Sequence, residues 1–180
     1  MNAANLVTLS RIALIPVVVL FYYSGQPTSQ LIATIVFIIA SVSDWLDGYL
    51  ARKLNQASEF GAFLDPVADK LLVTVVLILL LTAHASLMIA SAIIIAREIL
   101  VSALREWMAA RGKRDAVAVA FSGKLKTTLQ MVAIGALLLV SDTTPEILWQ
   151  FGFVLVHIAA LISLWSAYLY FKKAWVVLFP

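Results

Sequence analysis

Long apolar stretches separated by short polar ones set the rhythm of this 180-residue chain. The first runs through LVTLSRIALIPVVVLFYY, Leu6 to Tyr23, stops at Ser24-Gly25, and has Asn5 before it as a possible helix cap. Gln26-Pro27-Thr28-Ser29 reads as a turn, and a second stretch follows from about Gln30 to Arg52 or Lys53. Leu54 to Gly61 forms a short polar connection. The third stretch extends from Pro66 to about Ala83, with Asp65 as N-cap and Pro66 at the first helical position. After a brief loop at His84 to Ser86, a fourth continues to about Ala110. A fifth helix begins near Ser122 and runs to Val140; Ser141 to Glu146 make the next turn. The sixth spans about Ile147 to Phe171 and ends at Lys172-Lys173, before an apolar aromatic tail. A membrane-crossing helix needs about 20 apolar residues. The pattern therefore predicts an all-α, polytopic membrane protein of six transmembrane helices in a single domain, residues 1–180, with no repeat or interdomain linker.

Composition strengthens this. The chain is 63% hydrophobic and 13% charged, whereas about a quarter of an average soluble chain is charged, and no soluble domain of this size could bury so much apolar surface. With no cysteine, disulfide and thiolate–metal chemistry are excluded. The first apolar segment lacks a basic leader and an A-x-A-like cleavage motif, so it is expected to be a resident helix rather than a removable signal. Charge then orients the bundle. The loops at 24–29, 82–86 and 141–146 contain no Lys or Arg, and all 13 basic residues lie on the opposite side or in helices leading to it. The positive-inside rule places both termini in the cytoplasm. A net charge of +3 thus signals orientation and attraction to anionic phospholipid, not nucleic-acid binding. The five tryptophans lie mostly near predicted span ends, as an aromatic belt would place them.

Against this background four carboxylates stand out in DWLDGYLARKLNQASEFGAFLDPVAD, Asp44 to Asp69. Asp44 and Asp47 are three apart and share a helix face, beside the small residues Gly48 and Ala51. Asp65 and Asp69 are four apart and share a face of the next helix. Two such pairs at a membrane boundary suit a hard divalent cation, Mg²⁺ or Mn²⁺, whose coordination a phosphate substrate completes. The alternative is four solvated acids in a cytoplasmic loop, which is disfavoured because uncompensated Asp at the edge of a hydrophobic span is expensive.

The pattern Asp44-x2-Asp47-Gly48-x2-Ala51-Arg52-x8-Gly61-x3-Asp65-x3-Asp69 resembles the signature of the CDP-alcohol phosphotransferase family at all eight fixed positions. REILVSALREW (Arg97 to Trp107) and SGKLKTT (Ser122 to Thr128) are similar to the branch that uses glycerol 3-phosphate as acceptor. The resemblance runs from NLVTLSR to about Gln130 and beyond that is one of length and hydropathy. It implies transfer of a phosphatidyl group from CDP-diacylglycerol to glycerol 3-phosphate, with release of CMP, by a bacterial inner-membrane enzyme that forms a homodimer. It also implies two metal ions held by Asp44, Asp47, Asp65 and Asp69, with Asp69 best placed as general base towards the acceptor hydroxyl. Gly48, Ala51 and Gly61 would leave room for the nucleotide, and Arg52 would meet a phosphate. Asn5, Thr8 and Arg11 recur every three residues; this stripe is either an interfacial anchor or, as the resemblance implies, part of the nucleotide and lipid pocket.

Four cations make the acceptor side. Arg97 lies too deep in the fourth span for a loop residue, and intramembrane cations face a polar cavity or a partner. Glu98 and Arg105 are seven apart and share a face; for Glu98 an interhelical ion pair with an Arg is favoured over catalysis. Lys124 and Lys126 lie in the first turns of helix five, where backbone N–H groups also favour anions, but two residues apart they cannot aim at one ligand, and one of them is open to an interfacial role. Arg97, Arg105, Lys124 and Lys126 are the expected contacts of the acceptor phosphate.

Within the family the rivals take serine, inositol phosphate or phosphatidylglycerol as acceptor, giving phosphatidylserine, phosphatidylinositol phosphate or cardiolipin synthases. A membrane polyprenyl transferase would need more helices and leaves the Gly-x2-Ala-Arg-x8-Gly spacing unexplained. A cation transporter would want its acids near the bilayer midplane, and a purely structural subunit explains no motif. His84 and His157 lie towards the opposite side and are not expected to bind metal.

Overall fold

The computed structural model describes residues 3–53, 59–113 and 121–178, with side chains described at 5–43, 60–61, 63–113 and 126–175. Among the described residues six α-helices follow one another: α1 Ala3–Tyr23, α2 Ser29–Lys53, α3 Glu59–Ala83, α4 Met88–Ala110, α5 Phe121–Leu138 and α6 Glu146–Leu178, with a 3₁₀ turn at Ala85–Leu87. No strand occurs among the described residues. α1 packs on α2 and α3, α5 pairs with α6, and α4 leans mainly on α6.

The helix ends show where local signals hold. Gly25 (φ 67°) follows α1 and Gly112 (φ 70°) follows α4, both in the left-handed region that glycine reaches without strain. At Gly112 the amides of 112 and 113 bond back to the carbonyls of Ala109 (3.0 Å) and Met108 (3.0 Å), which stops α4 in a Schellman motif.

Three sequence expectations are corrected. Asn5 does not cap α1, because the helix already runs from Ala3 and buries Asn5 inside it. Asp65 does not cap α3 either: the helix starts at Glu59, so Pro66 lies inside it, about two turns from its start. Lys172 and Lys173 do not end α6, which continues to Leu178. Lysine is a good helix former, and Ala174 is buried against Met108 and Tyr170 just beyond the pair.

Among the described residues, four helices contain stretches long and apolar enough to cross a membrane: Asn5–Tyr23, Phe63–Ala83, Ala85–Ala110 (3₁₀ turn included) and Glu146–Trp175. Within the described part of α2 and of α5 the apolar stretches are Ser29–Ser43 and Lys126–Leu138. The exterior is apolar, with Ile89 and Ile147 each 73% exposed, while the interior holds polar side chains such as Thr8, Arg11, Arg97, Lys126 and Gln130. An apolar exterior with polar groups turned inward suits a lipid surround, and the chain is an integral membrane protein.

Phe37, Leu72, Leu77, Leu80, Ile94, Ile134 and Leu137 anchor the main core. A smaller cluster joins Val101, Leu104 and Met108 of α4 to Tyr170 and Ala174 of α6. The α5–α6 seam is close: a Cβ placed on Gly152 would fall 2.8 Å from Cγ of the buried Leu137. Away from these packed regions, the side chains leave space between α3, α4, α5 and α6.

Candidate active site

α3 presents Asp65 and Asp69 one turn apart. Thr8 of α1, fully buried, donates its hydroxyl to Asp65 Oδ1 at 2.7 Å. About one turn further along α1, Arg11 is also fully buried and approaches Ser43 Oγ of α2 at 3.5 Å. The polar stripe of α1 therefore faces the protein interior and meets one of the predicted ligands, which disfavours the interfacial-anchor reading.

Asp44, Asp47, Gly48, Ala51 and Arg52 fall in the last part of α2, and Lys124 in the first turn of α5; their side chains lie outside the described ones. Gly61 is buried near the start of α3. Among the described residues no three acidic, histidine or cysteine side chains gather as a metal cage. Asp65 and Asp69 supply hard oxygen donors on one face, a donor set that fits a hard divalent cation completed by further carboxylates or phosphate.

An inner cavity of about 260 Å³ opens beside Asp69. Lys70, Arg97, Glu98, Arg105 and Gln130 contribute its polar lining, with Thr127 and Tyr170. An outer cavity of about 450 Å³ shares Pro66, Lys70, Arg97, Glu98, Val101 and Arg105 with it and reaches out to Phe63, Val67 and Glu106. Phe63 is 65% exposed, so the outer cavity borders the apolar surface on one side and charged groups on the other.

Arg97 is deeply buried, as its position in α4 predicts. One guanidinium nitrogen donates to Ser166 Oγ of α6 at 2.9 Å, and the other stands 3.5 Å from Glu98 Oε1. Glu98 also receives the ammonium of Lys126 from α5, an interhelical ion pair. The sequence led to the expectation of an interhelical pair for Glu98 with an Arg as partner; across the interface that partner is a lysine. Lys126 is 1% exposed, lines neither cavity, and interacts electrostatically with Asp69. Arg105 lines both cavities and is exposed, while Lys70 binds the Pro66 carbonyl at 3.1 Å and lines both as well.

Residue-by-residue reading missed Lys70, Thr127, Gln130, Ser166 and Tyr170. A signal existed for some. Gln130 follows Lys126 by four residues and shares its face, and Ser163, Ser166 and Tyr170 fall on one side of α6.

The two walls and the cavity between them belong with a wider comparison. A model of the CDP-alcohol phosphatidyltransferase family matches residues 1–172, and the chain belongs to that family. Among its relatives is the CDP-diacylglycerol–glycerol-3-phosphate 3-phosphatidyltransferase of Escherichia coli, 47% identical over 176 residues, covering 96% of this chain and 94% of the relative. The protein of the same name from Shigella flexneri is similar to the same extent.

Proposed function

We propose that this enzyme transfers the phosphatidyl group of CDP-diacylglycerol to glycerol 3-phosphate, releasing CMP, and is thus a phosphatidylglycerophosphate synthase of phospholipid biosynthesis. The observation that carries this reading is the inner cavity, in which Asp69 faces Lys70, Arg97 and Arg105. A carboxylate and a cluster of cations around one small space suit an acceptor with a hydroxyl at one end and a phosphate at the other. The volume also suits a small polar molecule, since drug-sized ligands occupy about 300–1,000 Å³. The printed name of the relatives supports the same substrates.

In this reaction the acceptor hydroxyl oxygen bonds to the lipid-bearing phosphorus. The bond from that phosphorus to the CMP phosphate oxygen breaks, and CMP leaves with the electron pair. Asp69 takes the hydroxyl proton as general base. Arg97 and Arg105 hold the acceptor phosphate, with Lys124 joining them, while Lys126 acts through Glu98. Asn5, Thr8, Gly48, Ala51, Arg52 and Gly61 border the donor; Thr8 also positions Asp65 through its hydrogen bond. Asp44, Asp47, Asp65 and Asp69 would hold one or two Mg²⁺ or Mn²⁺ ions, which supply charge neutralisation on the diphosphate when bound.

The same reading takes all six helices as spans of one domain, residues 1–180. Both termini and the site face the cytoplasm of a bacterial inner membrane, as the Lys- and Arg-free loops support, and two copies form a homodimer. The test is an acceptor screen on purified protein with CDP-diacylglycerol and Mg²⁺ or Mn²⁺, following CMP. Release with glycerol 3-phosphate, and not with serine, inositol, inositol phosphate or phosphatidylglycerol, is expected, and EDTA should end it. Release with a different acceptor alone would overturn the assignment within the family.

A further inference from the structure

The inner cavity is lined by two residues carrying buried polar atoms that no protein group among the described residues satisfies, and the two atoms are opposite in kind. Arg97 Nε is a donor and Gln130 Oε1 an acceptor. Gln130 is 1% exposed and lines the same space as Asp69 and Arg97. Among the described residues, the other unpaired buried atoms, on Ser91 and Ser163, belong to residues that line neither cavity. A buried acceptor left without a donor is costly, and an apolar side chain of similar length would fill the place without that cost. A ligand is the natural source of the missing partner. A fully ionised phosphate can satisfy Arg97 but carries no proton for Oε1, so a ligand that satisfies both also brings a hydrogen-bond donor.

The reacting hydroxyl gives its proton to Asp69, so a second hydroxyl is needed. Glycerol 3-phosphate has one on its middle carbon. We propose that Gln130 is a specificity-determining residue of the acceptor site, whose Oε1 accepts a hydrogen bond from the acceptor hydroxyl that does not react. This rests on the transferase reading and deepens it: Gln130 separates polyol phosphates from simple hydroxyalkyl phosphates. An acceptor without the middle hydroxyl leaves the amide oxygen unpaired in the closed site.

The experiment is steady-state CMP release by the full-length protein in detergent, with CDP-diacylglycerol and either glycerol 3-phosphate or 3-hydroxypropyl phosphate, which lacks only the middle hydroxyl. The parent should favour glycerol 3-phosphate in kcat/KM by on the order of tenfold or more. Gln130→Leu should bring the two acceptors to within about twofold of each other by lowering the glycerol 3-phosphate value alone. Gln130→Glu keeps an acceptor oxygen in place and should retain the preference. A parent that uses both acceptors alike overturns the proposal whether or not any variant folds. So does a Gln130→Leu protein that keeps the parent's ratio. No release by the parent with either acceptor, from a monodisperse sample supplied with Mg²⁺ and Mn²⁺, overturns the transferase reading itself.

Discussion

On the α3 wall of the cavity, Asp65 takes its hydrogen bond from a hydroxyl, Thr8, a neutral partner that leaves the carboxylate charge intact. On the α4–α5 wall, Glu98 stands between Arg97 and Lys126 and cancels part of their charge. The half-buried Asp65 is thus held by a hydroxyl, and Glu98 by two cations. On the proposed reaction, the difference matches what each wall would meet. Acids that hold a cation need their charge kept and their orientation fixed, which a hydroxyl supplies. Cations that meet a small anion need enough field to bind it but cannot all stand unpaired in an apolar surround.

The comparison can be broken most sharply at Asp69. Asp69→Asn should lower kcat by about 10²–10⁴-fold and leave a monodisperse protein; CMP release in detergent measures it, and retention of more than roughly a tenth of the activity would move the base elsewhere. Next comes the pairing on the basic wall. Glu98→Gln strands the buried ammonium of Lys126 and should destabilise the fold by about 3 kcal/mol. Thermal unfolding should show that loss, and adding Lys126→Met should recover most of it. An unchanged melting temperature for Glu98→Gln would mean the wall is not internally neutralised.

A smaller effect should sharpen the division of labour. Arg105 lines the cavity but is exposed, so Arg105→Ala should raise the acceptor KM by about fivefold, the order expected of a solvent-screened contact. The donor KM should stay unchanged, and an equal rise in both would assign Arg105 to structure. The smallest effect lies at the opposite end of the bundle, where the His84 ring stands 4.2 Å from that of Trp149. Burial holds the His84 pKa below its ordinary value, so the unfolded chain binds a proton at higher pH than the folded one. Stability is then fully present above about pH 6.5 and declines as pH falls through and below that value. His84→Phe should flatten a melting-temperature profile across pH 5–7; an unchanged slope would assign the response to another group.

The one-dimensional pattern disclosed what each helix carries, and less of what it meets. The boundaries of α2, α4 and the start of α5 follow from turn residues and apolar runs. The beginning of α3 did not, because Asp65-Pro66 is a strong local start signal that the Glu59–Phe63 segment overrides by extending the helix backwards. The carboxylate spacing was legible since both members of a pair lie on one helix. Thr8 with Asp65, Lys126 with Glu98, and Arg97 with Ser166 are separated by 57, 28 and 69 residues, and no periodicity within a helix reports such meetings. Ser166 was hidden further, because a serine in an apolar helix gives little sign of whether its hydroxyl serves its own backbone or a neighbour.

Gly152 and Leu137 bear on this from a distance. Leu137 seated in the notch of Gly152 works as a register key: α5 cannot slide along α6 without driving the leucine towards the larger residues a turn away on the same face, such as Trp149 and Val156. The height of Gln130 relative to Ser166 and Tyr170 is thereby fixed by a contact about 10 Å up the helix, one that carries no charge and answers to neither pH nor salt. Substitutions at that seam would detune acceptor selectivity without touching the acceptor.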